Sequence, residues 1–378
     1  MKNLVYIPGL RFHVDLYLNH KFNSKYKVFV LTTSPKNKFI NKNFTYIFIP
    51  QFFKIFTKLF KLKSNNLMKL FDSFLFQFIS IIILIFIKPN IIHAWGGYAY
   101  LPFKFFKNSF KIIERSSTYD SLQLDLINSE LVRLNLKPKT VKYIQIKNRE
   151  AEYALSDKII ISSEYVRSSF PPNLLNKTFI LFPVSSKKFQ YSYKKINNKK
   201  IVIGYIGGNV IVKGLPWLLN YFIKQNTDFE LLLRLNKSDY KDYAFINSVI
   251  RNNKNIKISP TGDDIENFYQ SIDLLIQPTI DDGFPMTTIE ALSCGVPVFT
   301  SNKSGSVEVI KKILPYNIFD NNEDNAIGCL LSNMDAVKLK QQSIIIKNNF
   351  EEIYISIIKH NEEQLSLIHE KSSFNSRN

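Results

Sequence analysis

Short apolar runs of strand length recur along the chain. Between them lie stretches whose apolar positions fall three and four apart, and this alternation predicts parallel strands joined by helices. Strands are expected over residues 4–7, 27–31, 44–49, 90–93, 111–113 and 158–162, and then over 201–206, 229–235, 256–258 and 272–279. Lysines and polar residues from 187 to 200 part the two series and read as a linker. No repeat of solenoid period runs through the sequence.

Three helical stretches carry more than spacing. In 51–63, Phe52, Ile55, Phe56, Leu59 and Phe60 share one helical face, and Lys54, Lys58 and Lys61 share the other. Two readings fit this pattern: a helix lying in a membrane interface with its lysines on anionic headgroups, or a surface helix covering a core. The run 74–87 is the most apolar, yet it is shorter than the roughly 20 residues that span a bilayer and contains Gln77 and Ser80, so a buried helix feeding the next strand is expected. Residues 348–370 read as one long terminal helix, and 371–378 as a frayed tail.

Charge divides the chain. Residues 1–190 hold 29 Lys and Arg against 10 Asp and Glu, whereas residues 191–378 hold 21 against 21, so the whole excess of +19 lies in the first half. Such asymmetry points to an anionic surface facing that half, membrane or nucleic acid. Aromatics interleaved with aliphatics at core spacing, and the lack of any recognition motif, argue against nucleic acid. Cys294 and Cys329 have no metal-ligand spacing, so neither a metal site nor a disulfide framework is expected, and the opening segment carries no cleavage-site pattern of a secretory leader.

Candidate chemistry concentrates in 281–299. A strand at 272–279 runs into the loop Asp281-Asp282-Gly283-Phe284, and a helix then closes at Gly295 ahead of Pro297, with Thr287 or Thr288 placed to cap its start. In open α/β sheets the loop leaving a strand's carboxyl end is where ligands bind. Asp282 and Glu290 lie eight residues apart. This stretch resembles the E-x7-E motif of the retaining, family-4 type of nucleotide-sugar glycosyltransferase, also called glycosyl transferases group 1. It departs in having Asp for the first acid and Pro285 where relatives have Gly.

Other segments extend the resemblance over about residues 90–310. The loop 207–214, Gly207-Gly208-Asn209 through Lys213-Gly214, is similar to the family's G-R-x-x-x-x-K-G, with Asn209 in place of the Arg. That exchange replaces a bidentate phosphate fork with a neutral amide. Glu114-Arg115-Ser116-Ser117-Thr118-Tyr119 resembles an E-R-x-S-S-H loop with Tyr119 in place of His, and 152–162 resembles E-Y-x-x-A-D-x-I-x-x-S.

The resemblance implies an α/β GT-B protein of two facing Rossmann-like domains, with an acceptor-side domain at 1–190, a donor-binding domain at 191–345 and a helix at 346–370 crossing back. Asp282 and Lys213 would carry the chemistry. The donor would contact Gly207, Gly208, Asn209, Lys213, Gly283, Phe284, Met286, Thr287 and Glu290, and the acceptor would meet Gly9, His93, Trp95, Arg115 and Tyr119. The donor is a co-substrate, so no cofactor and no metal are expected. The expected location is cytoplasmic, peripheral on the inner membrane leaflet. A non-catalytic nucleotide-sugar binder is the alternative that the departures keep open.

Overall fold

The computed structural model describes residues 2–7, 26–33, 43–51, 66–139, 143–184, 189–191, 200–224, 229–259, 261–262, 264–321, 323 and 325–374. Two all-parallel sheets are built in chain order. The first holds β1 (Lys2–Ile7), β2 (Tyr26–Thr32), β3 (Phe44–Phe48), β4 (Ile91–Trp95), β5 (Phe110–Arg115), β6 (Lys158–Ile161) and β7 (Thr178–Ile180), in the order β3-β2-β1-β4-β5-β6-β7. The second holds β8 (Val202–Ile206), β9 (Glu230–Arg234), β10 (Ile256–Ser259), β11 (Leu274–Gln277), β12 (Val298–Ser301) and β13 (Ile318–Phe319), in the order β10-β9-β8-β11-β12-β13. Each sheet winds outward one way from its first strand and then turns back, which leaves a crevice at the carboxyl ends of β1 and β4 and of β8 and β11.

The strands are apolar because helices cover both faces of each sheet. Leu4, Val5, Ile112, Ile113, Leu231, Leu274 and Leu275 are fully buried, and each such side chain contributes about 1.5–3 kcal/mol of transfer free energy. The ten strands expected from the sequence all form, with ends shifted by a few residues.

Three expectations are corrected. The apolar run belongs to a longer helix, Asn66–Ile87, and that helix is far from buried: Phe74 and Phe78 are 53% and 52% exposed, while Gln77 and Ser80 point inward. The terminal helix is Ala336–Phe374, so it starts well before 346 and runs into the supposed tail. The helix after Asp281-Asp282 begins at Met286 with Pro285 as its N-cap, and no side chain caps it. Thr287 and Thr288 lie two and three residues past the cap and bond Gln277 instead. The basic, aromatic stretch from Phe52 to Lys63 and the loop holding Gly9 lie outside the described residues.

The two sheets are tied along three lines. Ile346, Phe350 and Ile357 of the terminal helix pack with Leu275, Ile289 and Leu292, whereas Leu365 and Ile368 pack with Leu4, Ile112 and Ile160. Asn361 between them is fully buried, donates to the carbonyl of Phe182 and accepts from its N–H. On another side, Leu131 of the Asp120–Arg133 helix sits among Leu215, Leu218 and Leu219, and the Arg133 guanidinium stacks 4.0 Å over Trp217. The third line is the cleft itself.

Candidate functional site

The crevice of the second sheet is bordered by the loops after β8 and β11, as the strand order requires. After β8 the chain makes a helical turn, with Lys213 N–H donating to the Asn209 carbonyl at 2.8 Å, and Gly214 then takes φ +71°. A Cβ at Gly214 would stand 1.7 Å from the Pro278 carbonyl oxygen, so the turn presses directly on the other loop. Thr279 Oγ1 and Ile280 N–H both donate to the Val212 carbonyl, at 2.8 and 2.9 Å. This clamp brings the Lys213 ammonium into an ion pair with the Asp282 carboxylate. The Asp282 backbone is held in turn by Lys303 O and Gly305 N–H, at 3.0 and 2.9 Å.

The neighbouring acid turns the opposite way. Asp281 is 2% exposed and accepts from Gln123 Nε2 at 2.6 Å and from Tyr165 Oη at 3.1 Å, both in the first domain. Burial raises its pKa, and these hydrogen bonds oppose the shift. Ser163 Oγ donates to the Gly283 carbonyl at 2.6 Å, and the Glu164 N–H donates to Glu308 Oε1 at 2.6 Å. Ser163 also caps the short Glu164–Arg167 helix, accepting from Val166 N–H. Gly283 is the tightest point between the domains, since a Cβ there would lie 1.7 Å from the Ser116 carbonyl oxygen of the first domain. The two acids thus divide the work: Asp282 faces the second-domain lysine, and Asp281 latches onto the first domain.

Of the other expected donor residues, Gly207 lies under the Lys213 side chain, and Gly208 and Asn209 are exposed on the rim. Met286 and Thr287 open the helix that carries Glu290, whose Oε2 accepts from Tyr269 Oη at 2.7 Å. Phe284 differs from expectation. Its ring is buried and meets the Phe182 ring edge-on at 5.8 Å, so only its backbone is open to a ligand.

Of the residues expected to meet an acceptor, Arg115 donates twice to the Thr118 carbonyl, at 3.0 and 2.7 Å, and once to Gln123 Oε1 at 3.0 Å. Its guanidinium therefore shapes the loop and, through Gln123, reaches Asp281. The Tyr119 ring packs on Tyr153 and Phe170 at 5.7 and 5.2 Å, and burial pushes its phenol up to about 12. His93 is 2% exposed beneath the cleft, with Nε2 2.8 Å from Glu114 Oε1. Trp95 is half-buried at the end of β4. Beside it, Glu152 is buried and accepts from the N–H groups of Gly97, Ala99 and Tyr100 at 2.6–2.9 Å. Burial raises its pKa to about 7 against these bonds.

Sequence reasoning placed Asp281 in the candidate loop without a role of its own and passed over Gln123, Tyr165, Gly305 and Glu308. Only Asp281 carried a signal, as one of two adjacent acids on a strand-end loop. Among the described residues no cluster of three or more His, Cys, Asp or Glu could hold a metal ion. The arrangement offers one lysine, one carboxylate and loop N–H groups at a sheet crevice, a chemistry suited to a phosphate bearing a hydroxylated group.

Comparison with known proteins follows the same lines. Residues 187–333 match the family Glycosyl transferases group 1. The capsular polysaccharide biosynthesis glycosyltransferase CapM of Staphylococcus aureus is 27% identical over 196 residues, 46% of this chain and 50% of that protein. An uncharacterized glycosyltransferase of Methanocaldococcus jannaschii is 26% identical over 159 residues, 41% of this chain and 43% of that protein. The chain thus spans about half the length of the curated relatives it matches. Among solved structures, sucrose-phosphate synthase of Thermosynechococcus elongatus superposes with a TM-score of 0.67 at 13% identity, covering 97% of this chain and 100% of that one. Anabaena HepE in complex with UDP superposes with a TM-score of 0.64 at 12% identity, covering 98% and 100%. The fold is that of the GT-B glycosyltransferases: two parallel α/β sheets facing across a cleft.

Proposed function

We propose that this chain, with the GT-B fold and a group 1 glycosyltransferase match in its second domain, moves a sugar from a nucleoside-diphosphate sugar to a hydroxyl acceptor with retention of configuration. The acceptor would belong to envelope polysaccharide, lipopolysaccharide or glycolipid synthesis, on the cytoplasmic face of the membrane. The observation that carries this reading is the Lys213–Asp282 pair at the crevice of the second sheet, inside the matched residues. An arriving diphosphate would compete for the Lys213 ammonium and release the Asp282 carboxylate to the sugar hydroxyls. Glu290, held by Tyr269, would accept from the ribose hydroxyls.

In the reaction the bond from the anomeric carbon to the diphosphate breaks as the acceptor oxygen bonds that carbon from the same face. The acceptor's proton passes to the departing phosphate oxygen. Negative charge grows on the diphosphate, and Lys213 with the N–H groups of 207–209 and 283–284 is placed to stabilise it. HepE has been solved with UDP-glucose, which makes UDP-sugars the first donors to try.

Calorimetry across UDP-, GDP- and ADP-sugars tests the site. A charge-assisted hydrogen bond is worth about 1.5–3 kcal/mol, so Lys213→Ala and Glu290→Gln should each weaken donor binding at least tenfold with folding intact. Unchanged affinity in both variants would overturn the assignment. A site that binds nucleotide sugar without turnover is the second reading, favoured by the exposed Asn209 and by the mutual occupation of Lys213 and Asp282. Transfer of sugar from any donor decides between them.

A further inference from the structure

The Asn66–Ile87 helix wears its apolar residues on the outside. Phe71, Phe74, Phe78, Ile82, Ile85 and Phe86 are 45–82% exposed, and at 100° per residue they fall within about 120° of the circumference, along roughly 22 Å of helix. The opposite face, which is buried, carries Asp72, Gln77 and Ser80 among Phe76 and Leu84. Those polar groups have structural partners. Gln77 Oε1 accepts from Leu101 N–H at 2.9 Å, Ser73 Oγ donates to the Gly97 carbonyl at 2.7 Å, and Ser80 Oγ donates to the Phe76 carbonyl at 2.7 Å. A contiguous apolar patch of this kind on a soluble face marks an interaction surface.

We infer that this face docks on an anionic lipid bilayer, lying in the interface without crossing it. Length and composition alone would allow a span, from Leu70 to Ile87. The topology forbids it, because the helix is the crossover from β3 to β4 and both strands belong to one sheet, so its two ends stay on one side. Its inward face is part of that domain's core. A second copy of the chain is the other apolar partner, and charge disfavours it, since each would carry +19. Anionic headgroups complement the same excess. Exposed Lys88 follows the helix, the Tyr100–Phe105 helix packed beside it exposes Lys104 and Phe105, and exposed Lys107 lies in the turn after that helix. The Ser73–Gly97 hydrogen bond sets this face directly behind the loop that follows β4, so docking would hold the first-domain crevice close to the lipid. The inference stands on exposure and charge and does not need the donor chemistry.

The test is co-sedimentation of the full chain with vesicles of phosphatidylcholine, with and without phosphatidylglycerol, at low salt. The wild type should bind the anionic vesicles and leave the neutral ones, with binding that weakens as salt rises. Phe74→Ser/Phe78→Ser/Phe86→Ser should lower that binding at least tenfold, with unfolding midpoint and nucleotide affinity unchanged. As a second reading of the same face, Phe78→Cys carrying an environment-sensitive dye, in a Cys329→Ser background, should shift its emission to the blue on anionic vesicles only. A wild type that ignores anionic vesicles, a triple variant that binds like wild type, or a dye that reports water throughout each overturns the inference. So does a wild type that is dimeric in sedimentation velocity while the triple variant is monomeric and neither binds vesicles, since the face would then belong to a second copy.

Discussion

Gly283→Ala should act as a wedge between the domains. The glycine does not adopt a positive φ, so alanine strains no backbone in the free loop, and its effect comes from contact alone. The new Cβ would lie 1.7 Å from the Ser116 carbonyl oxygen and 2.8 Å from Ser162 Oγ, where real Cβ contacts stay beyond 3.0 Å. Relief needs a separation of about 1.3 Å at Ser116, and the obstacle is a backbone atom with no rotamer to escape into. Hydrogen bonds of 2.6 Å from Ser163 to Gly283 and from Gln123 to Asp281 do not survive such a displacement. With a charge-assisted bond worth about 1.5–3 kcal/mol and a neutral one about 1 kcal/mol, the closed state should weaken by roughly 3 kcal/mol, about a hundredfold in its population relative to open forms. The assays are small-angle scattering for shape, calorimetry with the sugar-free nucleoside diphosphate, and sugar transfer. The radius of gyration should rise, transfer should fall at least tenfold, and nucleotide affinity should stay within twofold. An unchanged scattering profile with full transfer would refute the wedge, and lost nucleotide binding at unchanged shape would place Gly283 in the donor contact instead.

Glu152 ties stability to pH. Its folded pKa of about 7 stands above the ordinary 4.5, so its contribution is complete below about pH 4.5 and is lost as pH rises through 7. This costs on the order of 3 kcal/mol between pH 5 and 8, and denaturant melts should show Glu152→Gln without that decline. Asp282→Asn should lower transfer far more than sugar-free nucleotide affinity, while Asp282→Glu should retain or raise transfer; equal loss of bare-nucleotide binding in the Asn variant would place the acid elsewhere in the site. Gly214→Ala combines φ +71° with a Cβ 1.7 Å from Pro278 O and should destabilise the second domain by a few kcal/mol in a chemical melt, with a wild-type midpoint as the refuting result.

Strand positions were legible because parallel strands buried on both faces read as short apolar runs. The close of the 286–293 helix was legible too, since Gly295 takes φ +79° as a C′ residue should. Its start was not, because Thr287 and Thr288 look like caps locally and are claimed by Gln277 from β11. The Asn66–Ile87 helix misled in the opposite sense. Apolar density says nothing about which way a helix faces, and here two polar residues, Ser73 and Gln77, reach inward to partners one loop away. Lys213 and Asp282 could be picked from spacing, yet their meeting depends on the Val212 clamp, and the latch of Asp281 on Gln123 and Tyr165 spans 158 and 116 residues of chain. No local pattern encodes such a pairing.

The Asn361 clasp on Phe182 fixes where the two halves can turn. The chain passes between the sheets twice, once after β7 and once along the terminal helix, and these passages touch where Asn361 grips both the N–H and the carbonyl of Phe182. Two crossings joined at one point act as a pivot. Phe284 rests on Phe182, so the loop bearing Gly283 lies beside the fulcrum and not at the open end of the jaws. Any turning about this point would have to break the packing of Leu131 among Leu215, Leu218 and Leu219 and the Arg133 stack on Trp217, which tie the halves on another side.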